Sequence, residues 1–536
     1  MSTAQITGLA SGIDWQETIE LIMQIESLPM VALQERQDTY ESKLSAWQEI
    51  NSKLLALKST MEAMDKLDEL LTKAASSSDT DIVTATATAE AATGSYSVLV
   101  NQLALNEKET HEGFADSNTT AVTTTAGTFS YTYAGESYTV DVLADATLTD
   151  LVQAINNDVD NPGVQATILN DGSGLDTAYH LVLSGETGED NTITDIQVNL
   201  TNFSANFTET QTAQNAEIRV DGYPPASWIE SDSNEVTEVI SGVTLNLKNT
   251  SATAATITIT NDTDAVKETI QEFVSAYNEV ITLINTNVAY DPESETAGVL
   301  FGDASVIGIK GNLQTIIASY IPGSQDNARY KSLAEIGIKS GTGGLLSITD
   351  SKLTDALETD FNAVGDLFAF TSSSTSNTLT YFTRTTDTAG GIYNVVADYD
   401  ASGQLTSATV NGNEALIDGD YIIGLEGYPE EGLRIKFNYP GGGAGTASAE
   451  VRVGTGSAVQ IGNRVSFLTD PIDGTVHFAQ EGIQDTIESL EKQIENWEAR
   501  LAVTQAQLER DFLAMETLIS QLQGQGNFLS AMLPNL

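Results

Sequence analysis

The sequence predicts an α+β multidomain protein. Helices at the two ends pair antiparallel as a coiled-coil rod, with antiparallel β-rich domains inserted between them. Three observations point there. Both ends are rich in Leu, Glu and Gln and repeat apolar residues at alternate spacings of three and four. The middle turns to Thr, Ala, Asn, Val and Gly with period-two alternation. And 536 residues exceed what one ordinary core organises, so several folding units are expected.

At the C-terminal end Ile483, Ile487, Leu490, Ile494, Trp497 and Leu501 form an a/d seam that Thr504 and Leu508 continue. Asp511 interrupts it, and Phe512, Met515, Ile519 and Leu522 take over. Two successive four-residue steps are a stutter that locally unwinds the supercoil. The helix is expected to end near Gly524, giving a rod of roughly 60 Å. At the N-terminal end Trp47, Ile50, Leu54, Leu57, Met61, Met64 and Leu71 repeat the spacing, with Asp68 as a flaw. Leu33, Tyr40 and Leu44 lead into this stripe. Asp14 and Glu17 resemble a capping box opening an earlier helix through Ile19, Ile22 and Met23. Pro29 predicts a break or kink near Leu28. Pairing within one chain accounts for both stripes; the alternative is that each helix pairs with its own counterpart in another copy. Trp47 and Trp497 read as core knobs of the seam, or else as a sticky groove for a partner.

Strands are expected over 96–100, 129–142 and 257–259, with hairpin turns at Gly135-Glu136 and Asp221-Gly222. From 265 to 285 Val266, Ile270, Phe273, Val274, Tyr277, Val280, Ile281 and Ile284 share a broad helical face. Further helices are expected over 305–319 and 351–358, and a hairpin turn at 341–344. Residues 371–453 read as another β insertion, ending in the glycine-rich loop 440–445. No repeat indicates a solenoid.

Charge and composition exclude more than they identify. The chain carries 75 acidic and 23 basic side chains, a formal charge of −52, and has no Lys or Arg between Lys108 and Arg219. That balance argues against nucleic acid and against an anionic membrane face. No apolar run is long enough for a membrane span, and residues 1–16 lack the basic start and apolar core of a signal peptide. Without cysteine there are no disulfides, thiolate metal sites or cysteine nucleophiles. His111, His180 and His477 are far apart in sequence; His180 reads as a solvent-facing strand residue and His477 as a hinge before the last helix. The glycine-rich segments at 8–12 and 441–445 lack the Lys-Ser/Thr of a phosphate loop and the strand–helix setting of a dinucleotide site. Residues 398–403 match half of an EF-hand loop, but Thr409 stands where the bidentate carboxylate belongs, so a hairpin between strands 392–397 and 405–410 is the better reading. Acidic turns at 158–160 and 189–190 leave weak calcium binding open. Ser173 lacks a nucleophile-elbow pattern. Carboxylate pairs for glycosidic chemistry are an alternative resting only on the abundance of acids. No catalytic, cofactor or metal site is assigned, and the chain is not expected to be an enzyme.

Motifs spread along the chain, taken in order, resemble the hook-associated protein 2 (FliD) family of bacterial flagellar cap proteins. They are residues 6–14 with Glu26 and Pro29; 94–104; 147–156 with 163–166 and 179–183, which resemble the IN module of flagellins and hook-associated proteins; 217–222 with Asn234 and 242–247; 273–278, 300–303, 332–338, 345–350 and 363–368; and 490–522. The departure is 371–475, an extra β module beyond a compact family member. The resemblance implies leg helices at 1–75 and 476–536, an inner head domain at 76–110 and 215–262, an outer head domain at 111–214, a helical, mixed domain at 263–370 and the added β insertion at 371–475. It implies export through the flagellar type III channel and a homo-oligomeric ring of about five subunits at the distal, extracellular filament tip. The legs would seat in the filament and the heads would promote flagellin polymerisation and prevent its loss, by steric means. Leu9, Ile13, Phe528, Leu529, Met532 and Leu533 lie in terminal segments, 1–13 and 524–536, expected to fold only on a partner: flagellin, filament or junction hook-associated proteins, or an export chaperone. Frayed tails without function are the bland alternative. The stutter at Asp511 and the break at Pro29 would let the legs bend. A surface adhesin binding mucin or glycans through the head is the alternative function.

Overall fold

The computed structural model describes Gly12 and residues 14–532. Leu9, Ile13 and Leu533 lie outside the described residues, and of Met532 only the helical backbone is described. Two compact units emerge: Leu71–Val266, and the remainder up to Leu70 and from Lys267 onward.

The second of these is built on two long helices. The N-terminal helix, Trp15–Glu62, starts as expected at Asp14, whose Oδ1 accepts the Glu17 N–H at 3.2 Å. It does not break at Pro29 but runs through it for 48 residues. Proline removes one N–H from the ladder, leaving the Ile25 carbonyl without its helical partner. Both residues are exposed, so water can take that carbonyl. The C-terminal helix, Thr475–Met532, likewise does not stop at Gly524. Gly524 and Gly526 keep negative φ, and an exposed helical glycine costs about 1 kcal/mol without ending the helix. The expectation that 524–536 lacks structure is therefore corrected as far as Met532. His477 is not a hinge before this helix but lies in its first turn.

Around the base of the long helices the predicted face of Thr263–Val288 is buried: Ile270, Phe273, Tyr277, Val280, Ile281 and Ile284 have no solvent exposure. Phe273 meets Phe368 nearly edge-on at 6.0 Å. Ala304–Ala318 is capped by Asp303, which accepts from Ser305 N at 2.9 Å. Strands Ile338–Ser340 and Leu346–Ile348 are joined by the expected turn, where Gly343 takes φ 72°. Asp350–Thr359 forms the expected short helix. A further helix, Ser457–Leu468, stands inside the segment read as β to 475. Its Ile461, Val465 and Leu468 are buried at helical spacing, a signal too short to separate from a strand by pattern alone.

The 371–453 insertion is an eight-stranded antiparallel sheet that begins with Phe370–Ser374 and ends with Gly445–Thr455, strands that pair with each other. Its alternation is clean in Gly391–Tyr399, where Tyr393, Val395 and Ala397 are buried and Ile392 and Val396 exposed. The hairpin from Gly391–Tyr399 to Leu405–Val410 is the one read from residues 398–403.

The unit Leu71–Val266 contains two sandwiched cores. In the first, a five-stranded sheet carrying Gly94–Gln102 and Ala255–Asn261 faces a three-stranded one around Val83, Val98, Val100, Ile218, Leu245 and Ile257. Strand Lys73–Ser77 already belongs here, within the stretch that composition assigned to the helical end. In the second, inserted between Leu105 and Gln214, a four-stranded and a three-stranded sheet enclose Phe129, Tyr131, Leu151, Ile155, Leu181 and Leu183. Helix Leu148–Asn156 opens with a capping box between Thr147 and Asp150. The hairpin turn expected at Gly135-Glu136 falls one residue earlier, on Ala134-Gly135, because Glu136 already pairs with Tyr133. The turn at Asp221-Gly222 is as expected, with φ 53° and 75°.

Candidate assembly surfaces

The terminal helices pair antiparallel within the chain. The Trp15 ring stacks on Phe512 at 6.3 Å with 10° between planes, and Gln37 Nε2 reaches Glu491 Oε1 at 3.5 Å. From Trp15 to Gln37 the chain advances by as much as it retreats from Phe512 to Glu491, to within one residue. Ile487, Leu490, Ile494 and Leu501 are buried; Ile483, Trp497 and Leu508 are half-buried. Trp497 carries the Arg500 guanidinium over its ring at 4.8 Å.

The N-terminal stripe divides. Trp47, Ile50, Leu54, Leu57, Met61 and Met64 are all fully buried. Continuing the register, however, the C-terminal helix begins opposite about residue 52. Beyond that level other elements cover the stripe. Lys53 Nζ bonds Glu279 at 2.8 Å, and Met61 lies against Gly462 of Ser457–Leu468. Met64 sits past the helix end at Glu62. So Leu54, Leu57, Met61 and Met64 are core of the helical base rather than seam of a two-helix coil. Trp47 and Trp497 face different neighbours at different levels. The ring pair that does close the rod includes Trp15, which sequence reasoning did not single out. Trp15, Ile19 and Ile22 at four and three would have extended the stripe to it.

A second set of apolar residues on the two long helices is exposed, some beside the pairing and some on the stretch of the C-terminal helix past Phe512. Leu21, Ile25 and Leu28, at i, i+4 and i+7, are each more than half exposed on the N-terminal helix. Val503, Leu518, Leu522, Phe528 and Leu529 are as exposed on the C-terminal helix. Phe528 and Leu529 thus stand on a helix face open to solvent.

Polar groups elsewhere are engaged in holding the fold. Asp400 Oδ1 accepts from Ser402 N at 2.9 Å and Gln404 N at 3.0 Å, and Asp398 accepts from Ser407 Oγ at 2.8 Å, so both are turn acceptors of the hairpin. His111 is buried, stacked on Phe203 at 3.9 Å. Gly113 N–H donates to its Nδ1 at 3.1 Å, which places the ring proton on Nε2 facing Ser204 Oγ at 2.9 Å. Burial holds its pKa down at about 4. His180, read as solvent-facing, is instead half-buried and donates from Nδ1 to the His111 carbonyl at 2.9 Å. Two residues before His111, on its own strand, Glu109 is pushed up to about 7, by burial first and then by the carboxylates of Glu107 and Glu209. Among the described residues no group of His, Asp and Glu could hold a metal ion, and no helix is long and apolar enough to cross a membrane.

The chain matches the family model for the flagellar hook-associated protein 2 C-terminus over residues 213–524, that for the N-terminus over 11–107, and the flagellin hook IN motif over 118–187. Similar proteins include the A-type flagellar hook-associated protein 2 of Pseudomonas aeruginosa, 29% identical over 68% of this chain and 80% of that one. The flagellar hook-associated protein 2 of Halalkalibacterium halodurans is 25% identical over 79% of this chain and 91% of its own. The crystal structure of the D1-D2-D3 domains of the flagellar cap protein FliD from Escherichia coli aligns with a TM-score of 0.49 at 29% identity, covering 60% of this chain and 89% of that one. With one model spanning more than half of its length and another taking the opposite end, this chain belongs to the flagellar hook-associated protein 2 family.

Proposed function

We propose that this protein caps the flagellar filament at its distal, extracellular tip, as a homo-oligomeric ring of about five copies. In this reading the paired terminal helices are a leg that seats among filament or junction subunits, and the inserted β domains form a head plate. The plate holds arriving flagellin until it folds into place, which promotes polymerisation and prevents loss. The chain reaches the tip through the flagellar type III channel, escorted by an export chaperone. The action is steric and conformational and turns over no substrate.

The observation that carries this reading is the solvent-facing apolar stripe Leu21, Ile25 and Leu28 on the paired rod, together with the exposed Leu522, Phe528 and Leu529 on the part of the C-terminal helix that runs past Phe512. Apolar residues at helical spacing on an exposed face suit helical partners laid alongside, as in a filament. Deleting the gene tests it. Unpolymerised flagellin in the medium with short or missing filaments is expected; filaments of normal length with none shed would overturn the reading. Substitutions on the exposed faces of the rod, Ile25→Asp or Phe528→Asp, should reproduce the loss while the purified chain stays folded.

A further inference from the structure

Resting on the oligomeric reading, we propose that the hairpin tip spanning 219–229 is the surface by which one copy of this chain grips the acidic β block, residues 109–218, of a second copy. That block holds seventeen acidic side chains and no Lys or Arg. Immediately after it comes Arg219, the one arginine between Leu71 and Val266.

In a chain of charge −52, an arginine is expected to find a carboxylate, yet among the described residues none pairs with Arg219. Its guanidinium lies 3.8 Å over the Trp228 ring, and its Nε donates to the Ser227 carbonyl at 3.0 Å. These two contacts fix the plane of the fork and leave its terminal NH2 groups to meet a carboxylate side-on. Tyr223, beside it, is 70% exposed. Tyr, Trp and Arg are the residue types that dominate interface energetics.

The turn that carries Tyr223 is also tied down, which lowers the entropic cost of docking. Asp221 exchanges two hydrogen bonds with Ser97: its Oδ1 accepts the Ser97 N–H at 2.8 Å and its own N–H donates to the Ser97 carbonyl at 2.8 Å. Val220 and Tyr223 close the turn with bonds of 3.1 and 2.9 Å.

Charge complementarity selects the occupant. Of the two aromatic rings a neutral sugar could stack on, Trp228 has a face covered by Arg219 and Tyr223 stands open, while the Arg219 fork itself asks for an anion. A carboxylate-rich protein surface without cations of its own matches the fork, and every copy of this chain carries one. Such a contact joins unlike patches, the head-to-tail geometry that closes a ring when the rotation permits.

The test is photocrosslinking of the full chain carrying Tyr223→p-benzoylphenylalanine, with sedimentation velocity on the wild type alongside. Expected is a chain-to-chain crosslink mapping by mass spectrometry to residues 109–218, and for Arg219→Glu at least a tenfold higher concentration for half-association, with Arg219→Lys intermediate. If the wild type sediments as an oligomer but crosslinks between copies map elsewhere or are absent, the inference fails and the oligomeric reading stands. Association of Arg219→Glu equal to wild type also overturns it. A wild type that stays monomeric at all concentrations sinks the oligomeric reading itself. Capture by immobilised glycans that Tyr223→Ala abolishes, with no crosslink, would replace the second copy by a sugar.

Discussion

Leu490→Ala should loosen the rod locally without unfolding the β domains. Leu490 is 2% exposed and sits in the seam between Ile487 and Ile494. Truncating a buried leucine costs about 2–5 kcal/mol, the spread reflecting how well the site collapses. Here the cover is a single partner helix, and Ser489 and Glu491 on either side are exposed, so the lower part of that range, about 2–3 kcal/mol, applies. At 1.4 kcal/mol per decade this is a roughly 30- to 150-fold rise in the opening equilibrium. Native-state hydrogen exchange by mass spectrometry reads it directly. Amides of 487–512 and of the facing 15–37 should exchange faster by that factor, while those of the two β cores hold their rates. Val503→Ala, at a 67% exposed position, is the control and should change nothing. Unchanged exchange in Leu490→Ala would refute the seam. A rise that grows on dilution would refute the intrachain pairing, because opening within one chain is independent of concentration.

Glu109 and His111 pull the pH dependence of the β domain inserted between Leu105 and Gln214 in opposite directions. Glu109, raised to about 7, contributes stability that is present below its unfolded 4.5 and lost as pH rises through 7, so Glu109→Gln should raise the melting temperature at pH 8 and change it little at pH 4. His111, depressed to about 4, contributes stability present above its unfolded 6.5 and lost as pH falls toward 4; a His111→Gln variant that melts with the same pH slope as wild type in that window would contradict the buried neutral ring. Pro29→Ala restores one helical N–H at an exposed position and should slow exchange around 25–33, by an amount worth up to about 3 kcal/mol; faster exchange there would mean proline is accommodated by something other than solvent. Copies carrying −52 repel over about 8 Å at physiological ionic strength, so self-association should tighten from low to moderate salt; larger assemblies at low salt by sedimentation would reverse the argument.

Periodicity made the terminal helices and the face of Thr263–Val288 legible, because a 3.6-residue repeat states which side must leave water. It does not state what covers that side. Leu54, Leu57 and Met61 kept the heptad spacing of the coiled coil yet are covered by the helical base, one wall of which, Ser457–Leu468, gave too short a pattern to be separated from the strands before it. Pro29 and Gly524 misled for the opposite reason. A residue that disfavours a helix ends it only when nothing offsets the loss, and both stand in long helices with water at hand. The hairpins were read from turn chemistry, correct at Asp221-Gly222 and one residue off at Ala134-Gly135, where a β-turn tolerates a non-glycine at positive φ. The contact least accessible to pattern reading was Trp15 with Phe512, since their pairing depends on a register between segments almost the whole chain apart.

That separation is manageable because every insertion between the two helices closes on itself. In the unit Leu71–Val266 the first strand pairs with the last, Lys73 opposite Asn261. The domain nested within it is closed by Leu105 and Gln214, which exchange hydrogen bonds of 2.9 and 3.1 Å. The eight-stranded insertion repeats the device, Phe370 opposite Thr455. Antiparallel partners stand about 5 Å apart, so each insertion leaves and re-enters its host through a gap no wider than a hairpin turn. Once it has folded, the host no longer bears the entropy of closing a long loop, a cost that grows by only about 0.6 kcal/mol per doubling even for a flexible one. The content of an insertion is then free to differ in length without shifting the register of Trp15 on Phe512. The same nesting orders the closures by separation along the chain: Leu105 with Gln214 spans less than Lys73 with Asn261, and the rod spans most. Of these closures the rod is the one of longest range, so its two helices are expected to pair after the domains nested between them have closed.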